Sequence, residues 1–268
     1  MAGFTSYDDL IQEITVQGKQ VSWDFYKTGA ASHGAGVWQT LWNAAGSPGT
    51  GVTVLNATPG QVFTNQTGSI TFANVTPDIM AMCTFGGAAT TNCSLQIVDR
   101  LVGVGNVSLV GTAAKTVNSV ALTRYTSSSY VESWMELTTV TATSACVLSQ
   151  SYIDETGLST KGTALTLPAA VTVVGSMFKL PLAVGSKGVQ GVTALNLSVA
   201  PTTGVCNVLL QRPLATIPMI ANVWNERDLV LQLAALPRVY DGGSLCLQYL
   251  ASAATATNFW GTVRLAYG

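Results

Sequence analysis

The chain repeats itself. Residues 85–100, FGGAATTNCSLQIVDR, lie without a gap over residues 197–212, LSVAPTTGVCNVLLQR. Ala88/Ala200, Thr90/Thr202, Thr91/Thr203 and Arg100/Arg212 coincide, and Ile97/Leu209 and Val98/Leu210 keep their apolar character at an offset of 112. Further on, Ala121-Leu122-x-Arg124 matches Ala235-Leu236-x-Arg238 at an offset of 114. Val131, Met135 and Leu137 then fall opposite Leu245, Tyr249 and Ala251, so the alternation of the two copies stays in phase. Matching blocks in the same order at nearly the same spacing point to a duplicated unit. A chain of this kind must build two similar modules.

Those modules read as β. CSLQIV (93–98), YVESWMELTTV (130–140), ACVLSQSY (145–152), VCNVLL (205–210) and SLCLQYL (244–250) are strand-length runs between short Thr/Ser/Gly/Asn turns. That rhythm fits a sandwich or barrel rather than alternating strands and helices. We expect a mainly β chain: two tandem, internally duplicated antiparallel β-sandwich units of jelly-roll type, at 68–155 and 156–268. Residues 1–67 precede them as a short helix, a strand and an extended Gly/Ala-rich arm.

Within that leader, TSYDDLIQEI (5–14) has the marks of a helix. Thr5 or Ser6 can cap it, Asp8 and Asp9 sit at its positive end, and Leu10, Ile11 and Ile14 form a stripe. Val21, Trp23 and Phe25 alternate as in a strand. From Thr28 to Gly68 the chain is Gly, Ala, Ser and Thr, punctuated by Trp38, Leu41 and Trp42. Two such tryptophans need cover. Either they anchor the arm on a neighbour, or the arm folds back on its own domain.

Charge is scarce: 12 basic and 13 acidic residues in 268, or 9%, with 48% apolar residues. Soluble monomers carry about a quarter charged residues. So weakly charged a surface favours association. No basic stretch is dense enough to track phosphates, so no direct contact with nucleic acid is expected. The most apolar window, 165–185, is broken by Pro168, Lys179 and Pro181, so no membrane partner is expected. The opening MAGFTSYDDLIQEI has neither a basic start nor an apolar stretch of signal type. The six N-x-S/T triplets, at Asn56, Asn65, Asn74, Asn92, Asn106 and Asn196, are read as by-products of an Asn/Thr-rich surface.

Residues able to do chemistry are few. Cys83, Cys93, Cys146, Cys206 and Cys246 form no C-x-x-C pair and are read as buried thiols, and His33 is a lone histidine in a glycine-rich stretch. No metal and no cofactor are expected. The densest charge is Glu226-Arg227-Asp228 after Trp224, absent from the first copy, where the matching residues are Thr112, Ala113 and Ala114. On a strand, Glu226 and Asp228 share one side and Arg227 takes the other. Two carboxyls at such spacing could serve a glycosidase, but no further acid, histidine, G-x-S-x-G or phosphate loop accompanies them. We read the cluster as interface charge, with Trp224 as its apolar anchor and Trp38 and Trp42 as further interface candidates. Arg100/Arg212 and Arg124/Arg238 are read as structural, each guanidinium serving carbonyls or a carboxylate at a strand end. No catalytic residue and no enzyme activity are assigned.

The opening MAGFTSYDDLI, the Gly/Ala/Trp-rich arm and the segment VWNERDLVLQLAALPRVYDGGSLCLQYLASAATATNFWGTVRLAYG (223–268) resemble structural proteins of tailed bacteriophage virions. Within that class the chain looks most like a capsid decoration, or cement, protein. The resemblance implies a homotrimer of β-sandwich or jelly-roll modules clamping the major capsid protein on the outer surface of the phage head. It carries no site residues. A major capsid protein of the usual phage type would add a long spine helix and a charged extended loop, neither of which this sequence contains. The alternative is a carbohydrate- or receptor-binding module of the head or tail, with Trp38, Trp42, Trp134 and Trp260 able to stack on sugars.

Overall fold

The computed structural model describes residues 6–29, 34–54, 59–72, 79–88, 90–141, 145–168, 173–228 and 239–267. Helix α1 (Tyr7–Thr15) leads into β1 (Gln20–Thr28), β2 (Trp38–Thr40), β3 (Gly46–Ser47) and β4 (Gln61–Val62). The first copy then supplies β5 (Ile79–Ala88), β6 (Cys93–Ser108), β7 (Lys115–Thr116), β8 (Glu132–Thr139) and β9 (Cys146–Asp154). Next come β10 (Ser159–Lys161), β11 (Leu165–Leu167), β12 (Ser176–Lys179), β13 (Val189–Val199) and β14 (Val205–Met219). The chain closes with β15 (Asn225–Asp228), β16 (Leu245–Ala251) and β17 (Asn258–Tyr267). The chain is mainly β, with its one described helix near the N-terminus, as the sequence reading expects.

Three sheets carry the architecture. One outer sheet runs β15-β5-β17-β1-β3 and another runs β10-β9-β13-β7, with β11 beside β9. Between them, β6, β14, β8, β12, β2 and β16 close into a ring, because β14 also pairs with β6. The 16-residue β6 and the 15-residue β14 span both halves of the molecule. Their first core, with Leu95, Ile97, Ile217 and Tyr249, lies under the first outer sheet. Their second, with Val102, Met135, Val208 and Leu210, lies under the other.

The two copies exchange strands. In both halves two consecutive strands, β5 and β6 or β13 and β14, one in an outer sheet and one in the ring, are completed by a pair from the other copy, β16 and β17 or β8 and β9. Residues 68–155 and 156–268 therefore do not each close on themselves; each sandwich needs strands from both. The gap-free offset of 112 also needs one correction. Ile97 faces the first core while its expected counterpart Leu209 faces the ring interior, and it is Leu210 that faces the second core. The β6–β14 ladder is itself irregular between Cys206/Val208, Leu210/Gln211 and Pro213/Ala215.

The leader forms as its sequence dictates, with one change. Ser6 caps α1, its Oγ accepting the Asp9 N–H at 3.1 Å. Leu10 and Ile14 pack on Ala266, but Ile11 is exposed. β1 alternates along its length, with Phe25 buried and Tyr26 exposed.

The arm resolves in favour of its own domain. β2 closes the ring by pairing with β16 and β12. Trp42 is 1% exposed inside the ring, with Val54, Phe63, Val98, Trp134 and Leu209 around it. Its Nε1 donates to the Val52 carbonyl at 2.8 Å, and Gly51 lies so close beneath it that a Cβ would sit 2.1 Å from the indole. Trp38 is half-buried, edge-on to Trp134 at 5.9 Å. Trp42 is thus an internal anchor rather than an interface residue, while Trp38 packs against the rim of the same cluster. The surface of the chain, 11120 Å², is close to the roughly 11,000 Å² of a compact chain of 27.9 kDa.

The hairpin from β9 to β10 carries a pH-sensitive turn. Asp154 Oδ1 accepts the Thr156 hydroxyl at 2.6 Å, the Thr156 N–H at 2.8 Å and the Leu158 N–H at 3.1 Å. The Thr156 hydroxyl, with those backbone donors, holds the carboxyl below its ordinary value despite some desolvation. A depressed native pKa gives stability that is full above the ordinary carboxylate range near pH ~4 and is lost as pH falls through the native value. Asp154→Ala should therefore melt below the wild type at neutral pH. The gap should shrink steadily on acidification, as read by melting curves across the acid range.

Candidate functional site

A row of aromatic residues able to meet a partner lies on the outer face of the first outer sheet. In β1, Val21, Trp23 and Phe25 turn to the core, leaving Ser22, Asp24 and Tyr26 outside. In β17, Phe259, Val263 and Leu265 turn inward, leaving Trp260, Thr262 and Arg264 outside. Tyr26 pairs with Trp260, and Trp260 with Gly87 of β5. Residues 225–228 pair with 86–83, so Trp224, one residue before β15, continues the row opposite Gly87. The row Tyr26, Trp260, Gly87, Trp224 crosses the sheet from strand to strand. Tyr26 is 46% and Trp224 65% exposed.

Gly87 flattens this face. A Cβ there would meet the Trp260 indole at 2.8 Å, so the ring lies against the bare backbone. One row along, Asp24, Thr262, Phe85 and Glu226 align, and the Thr262 hydroxyl donates to Asp24 Oδ1 at 2.5 Å. At the far end α1 covers the face through Leu10 and Ile14 on Ala266. Beside Trp224, Ile220 and Val223 are also exposed.

The charged triplet sits on β15, which has one neighbour, β5, among the described residues. Glu226 is exposed and Arg227 half-buried, so the alternation expected from sequence holds for these two. Nothing gathers a third acid or a histidine beside the triplet among the described residues, and His33 lies outside them.

Of the repeat arginines, three are described, and they differ. Arg124 donates to Asp99 through Nε at 3.1 Å and Nη2 at 2.9 Å, to the Phe63 carbonyl at 2.8 Å and to that of Arg100 at 3.2 Å. That is the carbonyl-and-carboxylate role expected of it. Arg100 is buried in the ring, 3.2 Å from Glu136 and 4.5 Å above the Trp42 ring. Arg212 instead is half-buried against Tyr125 and Tyr130 and donates to the Ser129 carbonyl. Arg100 and Arg212 thus occupy unlike surroundings. Arg238 lies outside the described residues.

Sequence reasoning missed Tyr26, Gly87 and Glu136. The alternation Val21, Trp23, Phe25 already places Tyr26 on the opposite face; Gly87 and Glu136 gain meaning only through cross-strand pairing. Of the tryptophans named for sugar stacking, Trp42 and Trp134 are buried and Trp38 packs on Trp134; Trp260 stays on the outer face. Cys93, Cys146, Cys206 and Cys246 are free and buried, with burial pushing the Cys93 thiol up to about 12. Thiols so raised are poor nucleophiles. No described helix is long and apolar enough to cross a membrane.

No family model matches the chain, and no curated protein matches it. Among solved structures it is similar to VP2 of infectious bursal disease virus. The VP2 subviral particle aligns at 7% identity and a TM-score of 0.19, over 97% of this chain and 86% of that one. VP2 in derived T=1 particles aligns at 8% identity and a TM-score of 0.18, over 96% and 83%. Scores this low establish no shared fold. The proteins matched are viral shell proteins; neither is a tailed-phage decoration protein.

Proposed function

We propose that this chain is a structural protein of a virus particle, bound to the outside of the capsid as a decoration or cement protein, with the major capsid protein and further copies of itself, as a homotrimer, for partners. The supporting observation is where the charge goes. The chain has 12 basic and 13 acidic residues, and Lys27, Asp99, Arg100, Arg124, Glu136 and Asp154 are buried. What remains is spread thinly over 11120 Å². Such a surface suits broad, uncharged, repeated contacts, in which weak sites acting together become avid. The internal repeat doubles the number of similar β-faces that each chain presents. This reading assigns the chain no catalytic step and no cofactor.

Purified chain mixed with particles lacking it should sediment with them and raise their resistance to heat or chelator. In light scattering the free protein should show three times the chain mass. A monomer that fails to bind particles would overturn the reading. Trp224→Ala should leave stability within about 0.5 kcal/mol, as for an exposed side chain, in urea titrations.

A further inference from the structure

We infer that the outer aromatic row Tyr26, Trp260 and Trp224, laid flat by Gly87, is a binding platform for a neutral polysaccharide chain. This inference is independent of where the chain sits in a particle.

The shape is the first argument. Neighbouring strands lie ~4.8 Å apart, so the three rings are set along a line across four strand positions rather than clustered in a pocket. A line of flat rings fits an extended polymer whose units each present an apolar C–H face. The platform is flat because Gly87 lacks a side chain, leaving the Trp260 indole against backbone. Helix α1 covers the other end of the face, so the open strip is long in the cross-strand direction.

The chemistry is the second. Beside the aromatic row runs the row Asp24, Thr262, Phe85 and Glu226, three of whose four members are polar. Carboxylates and a hydroxyl next to stacking rings are acceptors for sugar hydroxyls. Two acids repel an anionic polymer, and the cation on this face, Arg264, lies in the row beyond them. The ligand is therefore a neutral polymer. A protein partner would favour aliphatic contacts; among the described residues the exposed aliphatic side chains next to Trp224 are Ile220 and Val223.

The test is affinity electrophoresis of the full chain in gels containing hydroxyethylcellulose, laminarin, dextran, galactomannan or alginate, with tryptophan fluorescence titration of any gel that retards it. We expect retardation by at least one neutral polymer and none by alginate. Trp224→Ala and Tyr26→Ala should each weaken binding about tenfold, the loss of one stacking contact, with melting unchanged. Gly87→Ala, which lifts the indole, should also weaken it. Four results overturn the proposal: no retardation in any neutral gel, binding to alginate instead, retardation unchanged in the Trp224→Ala/Tyr26→Ala double variant, or self-association abolished by these substitutions without any polysaccharide binding. The last would make the row a contact between copies.

Discussion

Replacing Trp42 with alanine is expected to remove about 3–5 kcal/mol of unfolding free energy, a large share of the roughly 5–15 kcal/mol a domain holds. The indole fills the ring interior between Val54, Phe63 and Leu209, gives its N–H to the Val52 carbonyl, and offers its face to Arg100. Alanine leaves a cavity lined by rigid strands that cannot collapse, because the ring is closed. It also strips the buried guanidinium of its aromatic cover. Urea titration reads the effect directly. A loss under 1 kcal/mol would mean that the arm is not the plug of its own ring, and would restore the reading in which Trp42 docks on a neighbour.

The second large effect is expected at the ion pair beneath that indole. Arg100 and Glu136 are both buried, 3.2 Å apart, and Asn207 Nδ2 donates to Glu136 Oε2 at 3.0 Å. Arg100→Leu strands a carboxylate in the interior and should destabilise by about 3–5 kcal/mol. Adding Glu136→Leu should recover most of that loss, because two apolar side chains need no solvation. The same urea titrations, run as a double-mutant cycle, check this. Equal losses in the single and double variants would show that the pair is worth keeping for its own energy. Recovery would show that the pair is not kept for its own energy: Arg100 comes from β6 and Glu136 from β8, both of the first copy, with β14 of the second copy paired to each.

Much of the fold is legible in the sequence. Ser6 before Asp8 and Asp9 marks the helix start, the alternation through Val21, Trp23 and Phe25 marks β1, and the strand-length runs overlap β6, β8, β9, β14 and β16. These are local signals, set by residue type and spacing. Strand exchange is not local. Leu247 pairs with Ile97 and Trp134 with Leu209, partners more than seventy residues apart, and a copy that paired internally would show the same alternation. The offset of 112 sets Ile97 against Leu209, yet the two face different cores, and a one-residue change of phase is invisible where both residues are apolar. At the site, Trp224 and Trp260 stand out as aromatics, yet what makes them a row is Gly87 and the register of β15 on β5. Trp42 and Trp260 look alike in sequence, and only the closing of the ring by β2 separates the buried one from the outer one.

The most direct test of the account is the copy number of this chain in purified particles, measured by quantitative mass spectrometry against the major capsid protein. A decoration protein should be present in a fixed stoichiometry on the scale of the capsid subunits, and should be released without loss of the shell's contents under mild treatment. A chain absent from the particles, or present in a handful of copies at one vertex or tail, would contradict it.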